Sequence, residues 1–323
     1  MPLQQTVDFD GNTTQPDEHV LARIGFDKAH AIGADPRDVT IALPSFASCK
    51  AIECWRSERP VETGRHKEIA YASDGRFVFG HLLIDEVAGS SLEMPAYHAY
   101  VAMLNSLKAF GGLHLLRVWN YVGKINEDQA GMERYRAFCV GRSRALADQG
   151  LRDETLPAAS GVGASAPGLM ISFIAATDPG AQIENPRQVS AFRYPERYGP
   201  KSPSFSRALT YQLTSDRALL FISGTASIVG HETLHQDDLT AQFEETCRNI
   251  DAVRGATARQ SKLETLRLYV RHERDAAASI AMMRQHFGNE LPIIALKSNI
   301  CRKDLLLEIE GVASLRPSRQ SNE

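Results

Sequence analysis

Asn299-Ile300-Cys301-Arg302-Lys303-Asp304-Leu305-Leu306-Leu307-Glu308-Ile309-Glu310-Gly311-Val312-Ala313 is the stretch on which the reading of this chain turns. Its apolar residues from Leu305 to Ile309, bounded by a charged cluster and by Gly311, predict a strand buried on at least one face. Alternation places Leu305, Leu307 and Ile309 on one face and Leu306, Glu308 and Glu310 on the other. Beside Leu306 the Glu308 carboxyl loses hydration, which disfavours its charged form and raises its pKa. A general acid working near neutral pH is made in that way. The alternative is an outer, solvated face that carries both glutamates.

Outward from this strand the chain reads as two similar halves. In the first, strands are expected at Ile41 to Ala47 and Arg76 to Ile84. A helix follows the capping box Ser90-Ser91-Leu92-Glu93 and presents Tyr97, Val101, Leu104 and Leu107 until Gly111-Gly112. Then come a strand at Leu113 to Val122, a helix from Gln129 to Asp148, a Gly/Ser/Ala loop from Pro157 to Gly168 and a strand at Leu169 to Ala176. The second half has a strand at Leu219 to Gly224 and a helix striped by Leu239, Phe243, Cys247 and Ile250, with Asp237 and Asp238 at its start. A strand at Leu266 to Val270, a helix marked by Ile280, Met283 and Phe287, and the opening strand complete it. Leu116-Arg117-Val118-Trp119 and Leu266-Arg267-Leu268-Tyr269 hold equivalent places. This order predicts an α+β fold of two layers, each a mixed sheet covered on one face by two helices, packed together. The expected boundaries are an N-terminal extension at 1–38, a first domain at 39–183, a junction at 184–216, a second domain at 217–315 and a tail at 316–323. The first ~35 residues and the tail are polar, and are expected to be poorly ordered.

The chain has 323 residues and a net charge of -3, which offers no field to attract nucleic acid or an anionic membrane. Cys49, Cys54, Cys139, Cys247 and Cys301 are an odd number without paired spacing, which predicts reduced thiols and a cytoplasmic protein. No run of about 18 apolar residues occurs.

Three features concern chemistry. Glu184 to Arg207 contains four prolines, and its Arg187, Arg193, Arg197, Lys201 and Arg207 outnumber its acids, while Phe192, Tyr194, Tyr198 and Phe205 supply anchoring rings. Such a segment suits a small planar or cyclic carboxylate, because guanidinium forks pair with carboxylates bidentately; the plainer reading is an ordered strap with surface arginines. Tyr135, Phe138 and Arg142 fall on one helical face, either as a core stripe or as a pocket wall. His231-Glu232-Thr233-Leu234-His235 matches H-E-x-x-H, a zinc-hydrolase pattern that requires a continuous helix. Here it precedes the helix that starts near Asp237, so it reads as a loop and no metal is expected. Cys301 reads as an inert apolar thiol or a weak proton donor.

Two resemblances rest on these residues. Phe221-Ile222-Ser223-Gly224, Asp238 to Gln242 and Leu307 to Ala313 resemble motifs of RidA (YjgF-type) domains, with Glu308 at that family's active-site glutamate. The arginine that those deaminases place about 15 residues earlier is missing here, where Leu291 to Leu296 stands, so the resemblance does not extend to imine deamination. From about residue 40 the whole chain is similar to the chorismatases, through Leu113 to Tyr121 with Ile125-Asn126, Pro157 to Gly163, Glu184 to Ala191, Tyr198 to Arg207, Ser223 to Gly230 and Cys301 to Glu310. The resemblance implies two RidA/YjgF-like halves and cleavage of the enolpyruvyl ether of chorismate without a cofactor. It implies Glu308 as the acid, Arg142 and Arg193 as carboxylate clamps with Tyr135 and Tyr198 as hydroxyl partners, and Arg207 as a further candidate. Ala226 would bound the pocket, as a small residue does in both types of member, with Ala rather than Gly leaning toward the hydrolytic one. A cysteine at the Cys301 position implies 3-hydroxybenzoate as the ring product; hydrolysis to 3,4-dihydroxycyclohexa-1,5-dienoate, or mixed 3- and 4-hydroxybenzoate, are the alternatives. Because one chain supplies both halves, a monomer is expected. A non-catalytic carboxylate binder and a zinc hydrolase are the competing readings.

Overall fold

A computed structural model of the chain describes residues 2–9, 17–46, 51–85 and 89–317. The first half contains strands β1 (Glu62–His66), β2 (Ile69–Ser73) and β3 (Phe77–Ile84), helix α1 (Glu93–Ala109), strand β4 (His114–Gly123), helix α2 (Arg134–Asp148), and strands β5 (Ala158–Ala164) and β6 (Leu169–Ala176). The second half repeats this order with β7 (Ala181–Ile183), β8 (Ala208–Thr214), β9 (Arg217–Thr225), α3 (Leu239–Gly255), β10 (Gln260–Val270), α4 (Ala276–Phe287), β11 (Ile293–Lys297) and β12 (Leu307–Arg316). Across the first sheet the strands run β1-β2-β3-β6-β4-β5, and across the second β7-β8-β9-β12-β10-β11, so the two topologies are the same. In each, one pair is parallel, β4 with β5 and β10 with β11. Parallel neighbours need a long crossover, which α2 and α4 supply.

Alternation along the strands divides the apolar residues between two faces. Phe77, Phe79, Trp119 and Tyr121 of the first sheet share a buried cluster with Tyr211, Phe221, Tyr269 and Val312 of the second. The opposite faces are covered by helices, over Val118, Phe138 and Phe173 in one half and over Leu268, Met283 and Ile309 in the other. The layers therefore run helices, sheet, sheet, helices, the α+β form expected. No helix among the described residues is long and apolar enough to cross a membrane.

Several local expectations are corrected. Residues of the supposed disordered extension, Leu3–Asp8, Val20–Phe26 and Ala31–Ile32, join Asp38–Ile41 and Ile52–Ser57 in a five-stranded sheet. Its Leu3, Leu21, Ile24 and Trp55 are buried in the central cluster. The pairing is non-local, which a reading by local polarity does not detect. The strand expected to run from Ile41 to Ala47 ends at Ile41; beyond it, Phe46 N donates to Ala295 O at 3.0 Å and Lys297 N to Pro44 O at 2.8 Å, which caps the edge of β11. Ala47, Cys49 and residues 318–323 of the tail lie outside the described residues. The helix expected from Gln129 starts at Arg134, because Asp128–Gln129 and Met132–Glu133 form a hairpin whose Ala130 and Gly131 take φ of 52° and 84°. The Gly/Ser/Ala loop is strand β5, whose small residues fit a closely covered position. The junction expected to end at 216 includes β8, a strand of the second sheet. Ser91 Oγ accepts from Glu93 N at 3.2 Å, yet the N-cap is Leu92 and the expected capping box does not form.

In β12, Glu308 and Glu310 share the inner face and are 5% and 3% exposed, so neither is solvated. Leu305 precedes the strand and packs in the central cluster, apart from Leu307 and Ile309 under the helices. Glu310 is gripped from both halves: Arg117 Nη2 stands 2.7 Å from Oε2, and Arg267 Nη1 3.2 Å from Oε1. Trp119 Nε1 donates to Oε1 at 2.7 Å, and Arg267 Nε also pairs with Glu53 at 2.7 Å. Breaking a buried pair by removing one partner costs about 3–5 kcal/mol, because a charge is left uncompensated. Glu310→Ala is therefore expected to lose that much unfolding free energy in urea titration, and a loss below about 1 kcal/mol, the range of ordinary substitutions, would show the network to be dispensable.

Candidate active site

Where the edge of β5 meets β9 and β12, a cavity of about 540 Å³ opens between the halves, within the size range of small-molecule sites. Strands β5 and β9 are stitched together by Ala159 N to Ser223 Oγ at 2.9 Å and by Gly224 N to Ser160 Oγ at 2.8 Å. Helix α2 contributes Tyr135, Cys139 and Arg142 to the wall, the segment after β9 contributes Ala226, and the loop before β12 contributes Cys301 and Arg302. Tyr194, Tyr198, Phe205 and Arg207 of the Pro-rich segment close one side.

Glu308 lies at the floor. Burial, reinforced by the negative Glu310 and only partly opposed by Arg117 and Arg207, pushes its carboxyl up to about 8. Among the described residues no hydrogen bond reaches that carboxyl. It rests against Gly224, where a side-chain methyl would collide with Oε1, so the glycine is required for close approach and not for an unusual φ. Two residues along, Glu310 goes the other way: burial alone would raise it, but Arg117, Arg267 and hydrogen bonds from Ser160 and Trp119 hold it below the usual carboxylate value. A pair of carboxyls driven apart in this manner marks an acid and a fixed charge.

Arg142 and Arg207 are both buried in the wall. Arg142 lies 4.8 Å from the Phe138 ring centroid, and Arg207 lies 5.4 Å from both Tyr194 and Phe205. Arg207 Nη2 donates to Val189 O at 2.7 Å and to the Tyr194 hydroxyl at 2.6 Å. The Nε of each guanidinium has no partner among the described residues. Neither guanidinium is paired with a carboxylate among the described residues, and a carboxylate fits the guanidinium fork. Tyr135 is half-buried alongside, its phenol held well above its ordinary value by desolvation, so it remains a neutral hydroxyl. Cys301 is also kept protonated: burial, then the nearby Glu308, push its thiol up to about 12.

Arg193 is the one predicted clamp that the structure moves away. It ends the short turn Ala191–Arg193, is exposed, stacks 5.6 Å from Phe192 and does not line the cavity. The turn directs Tyr194 inward, and Arg207 stands where Arg193 was expected. Tyr198 is at the mouth, beneath Arg302 at 4.0 Å. Ala226 is buried in the wall as expected.

The H-E-x-x-H segment is not helical: Glu232–Thr233 pairs with Ile228–Val229 in a two-residue hairpin, and His235 takes φ of 59°. Helix α3 begins after Asp238, whose Oδ1 accepts from Ala241 N at 2.9 Å. His231 and Glu232 instead hold Arg197 of the Pro-rich segment, at 2.9 and 2.8 Å. Sequence reasoning missed Ser160, Gly224 and Arg302 as site residues. All three fall within motifs quoted for the resemblances, but nothing there marked their side chains or backbone as part of a site.

A family model described as Chorismatase FkbO/Hyg5-like, N-terminal, matches residues 53–175. A chorismatase of Streptomyces rapamycinicus is 38% identical over 275 residues, covering 81% of this chain and 82% of the relative. A 3-hydroxybenzoate synthase of Streptomyces hygroscopicus is 39% identical over 277 residues, 80% of each chain. A chorismatase crystal structure superposes with a TM-score of 0.89 at 31% identity, covering 96% of this chain and 98% of that one. Similar in sequence across four-fifths of its length and in fold across nearly all of it, this chain belongs to the chorismatase family of enzymes.

Proposed function

We propose that the enzyme cleaves chorismate to pyruvate and 3-hydroxybenzoate, with Glu308 as general acid. The observation that carries this reading is a buried carboxyl, its pKa raised by burial, at a cavity lined by two guanidinium groups that no carboxylate pairs among the described residues. Chorismate carries two carboxylates, for which Arg142 and Arg207 are the clamps, with Tyr135 and Tyr198 as hydroxyl partners. Glu308 gives its proton to the terminal methylene of the enol ether, and positive charge develops on the ether carbon and oxygen. The ring hydroxyl next to the ether then attacks the ether-bearing ring carbon. The ring C–O bond breaks, its electron pair forms the ketone of pyruvate, and the hydroxyl proton returns to the Glu308 carboxylate. The resulting arene-oxide-like ring opens as the Cys301 thiol protonates its oxygen. Loss of the ring proton to the sulfur then yields the phenol and restores the thiol. Atoms balance without water, oxidant or reductant. Ala226, small and apolar, leaves room beside the ring for the alternative in which water attacks the ether carbon to give the dihydroxydiene.

Proton transfer from a placed acid is worth about 10²- to 10⁴-fold. Glu308→Gln is expected to lower kcat for pyruvate release, followed by a coupled dehydrogenase assay, by at least that range; a variant retaining a tenth of wild-type activity would remove Glu308 from the chemistry. Because the acid must be protonated and its pKa is raised, kcat/KM is expected to be level below, and to fall as pH rises through, about 8. A profile rising across that interval would assign Glu308 the role of a base. Cys301→Ala is expected to keep pyruvate release while chromatography shows the ring product shifting from 3-hydroxybenzoate to the dihydroxydiene; an unchanged ratio would leave the thiol without that role.

A further inference from the structure

Arg271 follows β10 directly and does not line the cavity. Its guanidinium nevertheless makes five hydrogen bonds, to Leu305 O at 2.7 Å, Asn126 Oδ1 at 3.1 Å, Asn299 Oδ1 at 3.2 Å, Ile300 O at 3.0 Å and Arg302 O at 2.6 Å. All five N–H donors of an arginine are thereby committed, and every acceptor is neutral. Four of the acceptors belong to the loop from Asn299 to Leu305, with Cys301 between two of the carbonyls so held. The fifth, Asn126, turns its amide back on the same loop, Nδ2 donating to Ile300 O at 3.1 Å and Cys301 O at 3.4 Å. Loop carbonyls without a strand neighbour need such donors, and a fork fixes their relative positions as a lysine ammonium does not.

We propose that Arg271 is a positioning residue that fixes the Cys301 thiol against the ring intermediate and so determines which ring product leaves. The inference rests on the role given to Cys301 under the proposed function. The test measures both products of chorismate turnover for Arg271→Lys, for Cys301→Ala and for the double variant, together with amide hydrogen exchange of the full chain. In Arg271→Lys, pyruvate release stays near the wild-type rate, while the ratio of 3-hydroxybenzoate to dihydroxydiene falls roughly 10- to 100-fold, the scale expected for an ångström of misplacement. Exchange protection is lost over residues 299–306 and kept in β10 and β12. The double variant shows no shift beyond that of Cys301→Ala alone. A wild-type ratio in Arg271→Lys, with the ratio moved in Cys301→Ala, overturns the role of Arg271 and leaves the reading of the thiol standing. An unmoved ratio in Cys301→Ala overturns both. Should Arg271→Lys lower stability throughout the chain, Asn126→Ala, which removes the amide bonds to the same carbonyls, carries the same expectation and the same overturning result.

Discussion

One buried carboxylate, Glu310, is the point on which the two halves close. Arg117 of β4 and Arg267 of β10 occupy equivalent strands of the two sheets, and both reach into the space between them to bind it. Glu53 of the N-terminal sheet adds a second negative charge on Arg267, so two guanidinium groups face two carboxylates in the interior. Balance of this kind is what makes buried charge tolerable. It also fixes the state of Glu308. Both cations are held by Glu310, leaving Glu308 without an ion pair and beside a fixed negative charge. The two acids then pull stability in opposite directions with pH. Glu310, lowered in the fold, stabilises it above the ordinary carboxylate pKa and loses that contribution as pH falls through its folded value. Glu308, raised to about 8, opposes folding progressively as pH climbs from the ordinary value towards that point.

Repetition of one topology creates two comparable positions, and only one is open. On β6, Ser172 and Ile174 lie opposite Trp119 and Arg117 of β4, as Glu308 and Glu310 of β12 lie opposite Tyr269 and Arg267 of β10, and on its other side Ser172 faces His81 of β3. Ser172 and His81 are fully buried, and Val20–Phe26 of the N-terminal sheet packs across β3. The edge of β11 is meanwhile capped by residues 44–46, whereas the corresponding edge of β5 borders the cavity. The N-terminal sheet therefore breaks the symmetry: it fills one position with apolar side chains and leaves the other open.

The legible parts of the sequence were those with local signatures. The four helices announced themselves through spacing, the long strands β3, β4, β6, β9 and β12 through apolar runs, and Glu308 through an acid within such a run. Three of the missed strands share a different property. β1 is half exposed and polar, β5 is built from Ala, Ser and Gly, and β7 spans three residues; each is a strand because of its neighbours rather than its own composition. The N-terminal sheet was missed because Leu3–Asp8 pairs with Ile52–Ser57 across more than forty intervening residues. Arg193 and Arg207 could not be separated by composition: Arg193 ends a short turn that leaves it exposed, while Arg207 is buried beside Tyr194 and Phe205. The motif around Gly224 marked a turn but not its contact with Glu308, because that requirement is set by a carboxyl 84 positions away.

Arginines in this chain divide by what touches their flat faces and forks. Arg117 and Arg267 are neutralised by carboxylates and serve the core. Arg142, Arg207 and Arg302 are stacked on Phe138, on Tyr194 with Phe205, and on Tyr198. Ring contact restrains a guanidinium without cancelling its charge. The second group thus remains oriented and electrostatically unsatisfied at the cavity, within a protein whose net charge is -3. An anion entering there meets donors whose positions are already fixed, so little ordering is needed on binding. In the Pro-rich segment the rings of Tyr194 and Phe205 hold Arg207 in this way, whereas Arg187 and Arg197 pair with Glu245 and Glu232.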